Sequence, residues 1–136
     1  MKKAAALLAA IAAAVLLFAA CAPSAAVLYE NDFDDLDIEG RCDDVVSMAK
    51  HGFAGSYEKG ALEQMKKDLL AIEPSDKRLI EVNHKFIASI DMLIEYLESV
   101  DEHDTDTAGE LLTGAQELFT DADRELNSYK RELMND

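Results

Sequence analysis

The chain has 136 residues, of which 13 are basic and 28 acidic, and its formal net charge is −15. This length predicts one domain and leaves no room for a second large core. Nucleic-acid binding depends on clustered Lys and Arg, so the acidic charge excludes nucleic acid as a partner.

Residues 1–20 follow the plan of a secretory signal: two lysines, an apolar run over residues 4–18, and small residues at the end. The segment resembles a bacterial lipoprotein signal whose lipobox is Phe18-Ala19-Ala20-Cys21, with Leu17 one place earlier than the family's usual leucine. The resemblance implies that the Cys21 thiol receives a diacylglycerol, for example with palmitate chains. It also implies cleavage before Cys21 and acylation of the new amino group. The mature protein would then be anchored to a bacterial membrane, outside the cytoplasm.

Two other interpretations of this segment stay open. The apolar run from residue 4 to 22 is close to the ~20 residues that span a bilayer, so the segment could remain as an uncleaved anchor. Cleavage after Ala22 would instead release a secreted protein.

Cleavage before Cys21 leaves 11 of the 13 basic residues against 28 acidic ones, for a net charge of −17. We expect anionic headgroups to repel this domain, which would stand off the membrane on a tether of residues 21–29. Cys42 would have no cysteine partner in the mature chain, and its position on an apolar helix face predicts a buried small residue.

Apolar residues recur at helical spacing along the rest of the chain and predict a domain over residues 30–136. Its four helices are expected at residues 30–53, 56–72, 75–100 and 107–134. Gly40 weakens the first helix, and Ser56 is a candidate cap for the second. The inward face of the first helix ends at Phe53, and that of the second begins at Tyr57.

The third and fourth helices have the clearest patterns. Ile80, Ile87 and Ile94 repeat every seven residues in the third, and the fourth starts with Thr107 and Glu110 as a capping box. Small residues every seven places in the fourth helix allow a neighbour to approach closely.

The pattern predicts an all-α fold, an antiparallel up-down four-helix bundle. The alternative is a three-helix bundle with a loose amino-terminal segment. A helical hairpin with Leu69-x-x-Ile72-x-Pro74 at its turn is followed by His84 in a long helix and by an Ala-rich return helix. With these features, residues 57–133 resemble small bacterial lipoproteins of uncharacterised function, a resemblance that implies no activity.

Asp35, Asp37 and Glu39 imitate the first half of a calcium-binding EF-hand loop, but the twelfth position holds Val46 instead of a bidentate Glu. His103 lies among carboxylates in the loop over residues 101–106, without a second histidine nearby in sequence. Both are weak candidates for a divalent cation, and the prediction is no metal site and no cofactor.

Asn83 falls within the apolar stripe of the third helix and His84 at its edge. A polar residue in such a seam typically fixes the register of a bundle. With Tyr129, these two residues are also the candidate polar lining of a ligand site inside the bundle.

The sequence has no nucleophile elbow, phosphate-binding loop or Cys-x-x-Cys motif, which favours a non-enzymatic protein. We expect a membrane-anchored envelope lipoprotein that acts as a protein-interaction module for another envelope protein. The alternative is a lipoprotein that binds a small solute or a divalent cation.

Overall fold

The computed structural model describes residues 24–135, and every regular element within them is an α-helix. The predicted all-α class is therefore confirmed. The five helices are α1 (Ala25–Asp35), α2 (Ile38–Lys50), α3 (Ser56–Ala71), α4 (Lys77–Asp101) and α5 (Thr105–Asn135). Within the described part, no helix combines the length and apolarity needed to cross a membrane. The predicted signal peptide and Cys21 lie outside the described residues.

The predicted first helix is two helices, because the chain turns at Leu36 and Asp37. Asp37 adopts a left-handed backbone conformation, with φ of 47°, which ends one helix and starts the next. Arg41 donates a hydrogen bond of 3.2 Å to the Leu36 carbonyl and so stabilises the turn. The break therefore precedes Gly40, the position at which the sequence suggested it.

The predicted tether over residues 21–29 is wrong from residue 25 onward, because α1 already begins there. The Ser24 hydroxyl caps α1 by accepting a 3.3 Å hydrogen bond from the Val27 amide. Ala26 and Tyr29 are buried, and they bring this helix into the core. Together with the buried face of α2, they make the amino-terminal segment an integral part of the fold rather than a loose extension.

The amino end of helix α3 is capped by the side chain of Glu58, in the first turn of the helix, rather than by Ser56. The Glu58 carboxylate, which is buried, accepts a 3.0 Å hydrogen bond from the Gly55 amide. Two residues expected to face inward here do not: Phe53 is 61% exposed and Tyr57 78% exposed. Phe53 lies beyond the end of α2, where Gly52 (φ 87°) turns the chain away from the helical course.

Helices α4 and α5 form the longest pair and run antiparallel. The Lys85 ammonium contacts Asp121 at 2.7 Å and Glu125 at 2.6 Å, while Arg78 contacts Glu132 at 2.5 Å. The small residues of α5 at seven-residue spacing face α4 and are all buried: Ala108, Ala115 and Ala122.

The expected capping box at Thr107 and Glu110 is wrong, because α5 begins two residues earlier. The Asp104 carboxylate instead accepts a 3.2 Å hydrogen bond from the Thr107 amide. His103, just before it, has φ of 63°, so the connection reverses direction within three residues.

Helix α4 lies at the centre, with α3 and α5 packed beside it. Helix α1 packs against α5, whereas α2 packs against α3 and α4. Phe33 of α1 meets Phe86 of α4 at a ring-centroid distance of 4.3 Å, and Phe86 meets Phe119 of α5 at 4.9 Å. The turn at Leu36 and Asp37 thus moves the chain from the α5 side of α4 to its α3 side.

Candidate functional site

The Asn83 side chain is buried and hydrogen-bonded at both of its polar atoms. Its amide donates a 2.9 Å bond to the Leu69 carbonyl of α3, and its oxygen accepts a 2.9 Å bond from the Tyr29 hydroxyl of α1. Burial raises the pKa of Tyr29, which keeps the hydroxyl protonated as a donor. Asn83 therefore joins three helices through its two polar atoms.

His84 and Tyr129 do not join Asn83 in a common site. His84 is exposed on α4. Tyr129 lies under the Arg78 guanidinium, whose central carbon is 4.9 Å from the ring centroid, and a hydrogen bond with Asp76 raises the pKa of Tyr129. The three predicted lining residues thus occupy a core position, a surface position and a helix-end cluster.

The acidic residues around the first turn are also dispersed. Asp35 and Glu39 are exposed, and Asp37 occupies the left-handed position between the two helices. A Cβ atom placed on Gly40 would lie 2.7 Å from an Asp37 carboxylate oxygen, so the glycine provides room for that side chain. The glycine of the EF-hand-like pattern therefore has a packing role here.

His103 lies in the connection between α4 and α5, far along the chain from the Asp35 cluster, and its Nδ1 is 2.9 Å from the Asp101 carbonyl. Within residues 24–135, no group of three or more His, Cys, Asp or Glu side chains is arranged to hold a metal ion.

A cleft of about 200 Å³ opens between α2 and α5, and α4 forms its floor. We call it the α2/α5 cleft, and it lies where the turn at Leu36 and Asp37 has moved α2 toward α3. Apolar side chains from three helices line it: Val46 of α2, Leu93 of α4, and Leu112, Ala115 and Phe119 of α5. Glu39 and Asp43, one helical turn apart on α2, add two exposed carboxylates.

Ser89 and Cys42, two of the potential nucleophiles that line this cleft, are not activated for reaction. The Ser89 hydroxyl donates a 2.8 Å hydrogen bond to the Ala115 carbonyl, and no histidine lines the cleft to act as its base. Burial, followed by the charge of Asp43, raises the pKa of the Cys42 thiol to about 12. Cys42 is buried, as predicted, with its sulfur 4.0 Å from that of Met65. The arrangement is suited to binding a group rather than to reacting with one.

A second surface lies at the end of the molecule where the α2–α3 and α4–α5 connections meet, which we call the loop end. Phe53, Val100 and His103 line a common depression there. Met48, Phe53 and Tyr57 are exposed near this end by 37%, 61% and 78%. We refer to these three residues as the loop-end patch.

No family model, curated protein or solved structure matches this chain. Among the residues of the α2/α5 cleft and the loop-end patch, only Glu39 was a candidate site residue from the sequence, and there as a weak candidate for a divalent cation. Phe53 and Tyr57 were assigned to the core because their spacing continues the helical faces beside them. The cleft had no local signal, since its lining comes from positions 39–46, 89–93 and 112–120.

Proposed function

We propose that this chain is a membrane-anchored lipoprotein of the bacterial envelope whose helical domain is a non-enzymatic protein-interaction module. The observation that carries the proposal is the exposure of Phe53 and Tyr57 at the loop end. Large apolar side chains exposed together are typical of protein-binding surfaces, and aromatic residues are enriched among those that dominate binding energy.

The position of this surface fits attachment at the opposite end. Ser24 precedes α1, whose Glu30 pairs with Lys130 near the end of α5. A lipid anchor on Cys21 would therefore place the end of the domain that holds the start of α1 and the end of α5 toward the membrane. The loop-end patch would then face away from the membrane. Two acyl chains hold a protein stably on a membrane, where one gives marginal binding.

We also propose that the helices form an antiparallel up-down four-helix bundle, with α1 and α2 together in place of the first helix. Ion pairs between Lys59 and Glu98, and between Lys66 and Asp91, support antiparallel packing of α3 and α4. Spin labels at Ser56 and Asp101 should give a short distance in this arrangement. A distance near the full length of α3 would contradict it.

The anchor is tested by the intact mass of the protein extracted from its own membrane. We expect a chain that begins at Cys21 and carries acyl groups, and we expect a Cys21→Ala variant to lose them and to leave the membrane fraction. An unprocessed wild-type chain that begins at Met1 would overturn the proposed anchor.

The interaction role is tested with a photo-crosslinking amino acid at Phe53 or Tyr57. Leu70 is the matched control, because it is 57% exposed on α3 and lies outside the loop-end patch. We expect a specific adduct with a partner protein when the label is at Phe53 or Tyr57. Excess unlabelled wild-type protein should reduce the yield of this adduct, whereas the unlabelled double variant Phe53→Ser with Tyr57→Ser should not. Equal adducts from all three positions would contradict a role of this patch.

The alternative, binding of a small solute or a divalent cation, is supported by the α2/α5 cleft and its carboxylates. A ligand that binds the native state raises its thermal stability. A rise in the melting temperature with one member of a panel of cations and small solutes, lost in a Val46→Phe variant, would favour this function.

A further inference from the structure

The α2/α5 cleft has the size of a pocket for one side chain. Its volume is about 200 Å³, below the range of about 300–1,000 Å³ that is typical of sites for whole small molecules. Leu93, Leu112 and Phe119 supply an apolar lining from α4 and α5. A group buried there gains most if it is apolar, because it then leaves no polar atom without a hydrogen bond.

The charged side chains known to line this cleft are both acidic. Glu39 and Asp43 are exposed at its α2 side, and no Lys, Arg or His within residues 24–135 lines it. Arg41, between them in sequence, is turned to α3, where it pairs with Asp68 at 3.1 Å. The complementary group is therefore an apolar residue with positive charge beside it.

We propose that the α2/α5 cleft receives one large apolar side chain from a basic segment of the partner protein, with flanking Lys or Arg residues paired to Glu39 and Asp43. The inference rests on the proposed interaction role and names the chemistry of the partner. Positive charge near the inserted side chain also speeds encounter with the acidic domain at low salt.

The probe is the peptide acetyl-Lys-Lys-Trp-Lys-Lys-amide, added to the full chain in micelles of an uncharged detergent. The protein contains no Trp, so Trp emission reports on the peptide alone. We expect a blue shift of this emission and protection from acrylamide quenching, relative to micelles without protein. A peptide with Glu in place of each Lys should show neither effect.

Two matched pairs of variants locate the binding. Glu39→Gln with Asp43→Asn should weaken binding by about tenfold at low salt, whereas Glu63→Gln with Asp106→Asn, which removes as much charge elsewhere, should leave it unchanged. Val46→Phe, which fills the cleft, should abolish the blue shift. Ile94→Phe, at a half-buried position outside the cleft lining, should preserve it.

The proposal is overturned if the two double variants weaken binding equally, or if acrylamide still quenches the emission of the bound Trp. Either result would show that the peptide is held by diffuse charge attraction. It is also overturned if the wild-type chain is a dimer that Val46→Phe dissociates, because a second copy then fills the cleft. Circular dichroism of each variant checks that it is folded. Peptide binding in the cleft without any specific adduct at the loop end would contradict the proposed role of the loop-end patch and leave the cleft proposal standing.

Discussion

The Tyr29 hydroxyl donates a 2.9 Å hydrogen bond to Asn83 Oδ1 and so connects α1 with α4 across 54 residues of sequence. Asn83 also donates to the Leu69 carbonyl of α3. The contacts of this one amide require that α1, α3 and α4 keep a single relative register, which agrees with the structural role expected of a polar residue in a helical seam.

Tyr29→Phe should lower the free energy of unfolding by about 1–3 kcal/mol, because it leaves the buried oxygen of Asn83 without a donor. Urea denaturation followed by circular dichroism measures this change. Tyr57→Phe is the matched control, since Tyr57 is exposed, and it should stay within about 0.5 kcal/mol of wild type. Equal stability of the Tyr29→Phe variant and wild type would show that this bond does not hold α1.

The Cys42 thiol should make the protein less stable in alkali. Burial raises its pKa from 9.0 to about 12, so the folded state retains a proton that the unfolded state releases. The contribution of the buried thiol to the free energy of unfolding is therefore complete below pH 9. It is lost as the pH rises from 9 toward 12, by at most ~1.4 kcal/mol per pH unit.

Urea denaturation at pH 8 and at pH values between 9 and 10 measures this loss. Cys42→Ala should show a shallower decline over that interval, even if it is less stable at pH 8. Parallel pH profiles of the variant and wild type would contradict the assignment. Above pH 10 a decline should remain in both proteins, because burial also raises the pKa of Tyr29 and Tyr96.

Ala122→Leu should destabilise the protein by about 1–3 kcal/mol, because Ala122 is fully buried on α5 and leaves no space for a larger side chain. The exposed Ala71 on α3 provides the control, since Ala71→Leu adds the same atoms where there is space. Thermal unfolding of the two variants measures the difference. Similar melting temperatures would mean that the packing around α5 does not require a small residue at position 122.

Two glycines in helices should respond differently to the same substitution. Gly60→Ala on α3 meets nothing within 4 Å and should stabilise the protein by about 0.5–1 kcal/mol. Gly40→Ala should not, because its Cβ would lie 2.7 Å from the Asp37 carboxylate. Urea denaturation distinguishes them, and equal stabilisation by both would show that Asp37 moves aside without cost.

The all-α fold could be predicted from the sequence because burial at helical spacing leaves a local pattern. Ile87, Ile90, Leu93 and Leu97 all lie in the core. The break at Leu36 and Asp37 left no such pattern, since neither residue is a strong helix breaker. Its stabilisation comes partly from Arg41, which donates to Leu36, and from packing of the two short helices on different neighbours.

The candidate site was less accessible to prediction. Asn83 and His84 are adjacent in sequence, but consecutive residues of a helix point about 100° apart, so only Asn83 reaches the core. The sequence placed Tyr29 in the tether. Its structural role could not be predicted, because the hydrogen bond that it makes in the core is with Asn83, far along the chain. The α2/α5 cleft depends on the displacement of a whole helix, which residue spacing does not encode.

The division of the first helix also has a mechanical consequence. Helix α1 runs from Ser24 along α4 and α5, with Glu30, Tyr29 and Phe33 in contact at successive levels. A pull at Ser24 along the helix axis therefore loads these contacts together in shear, rather than peeling them apart one after another. The turn at Asp37 separates α1 from α2, so α1 can yield to such a load while α2 remains on α3.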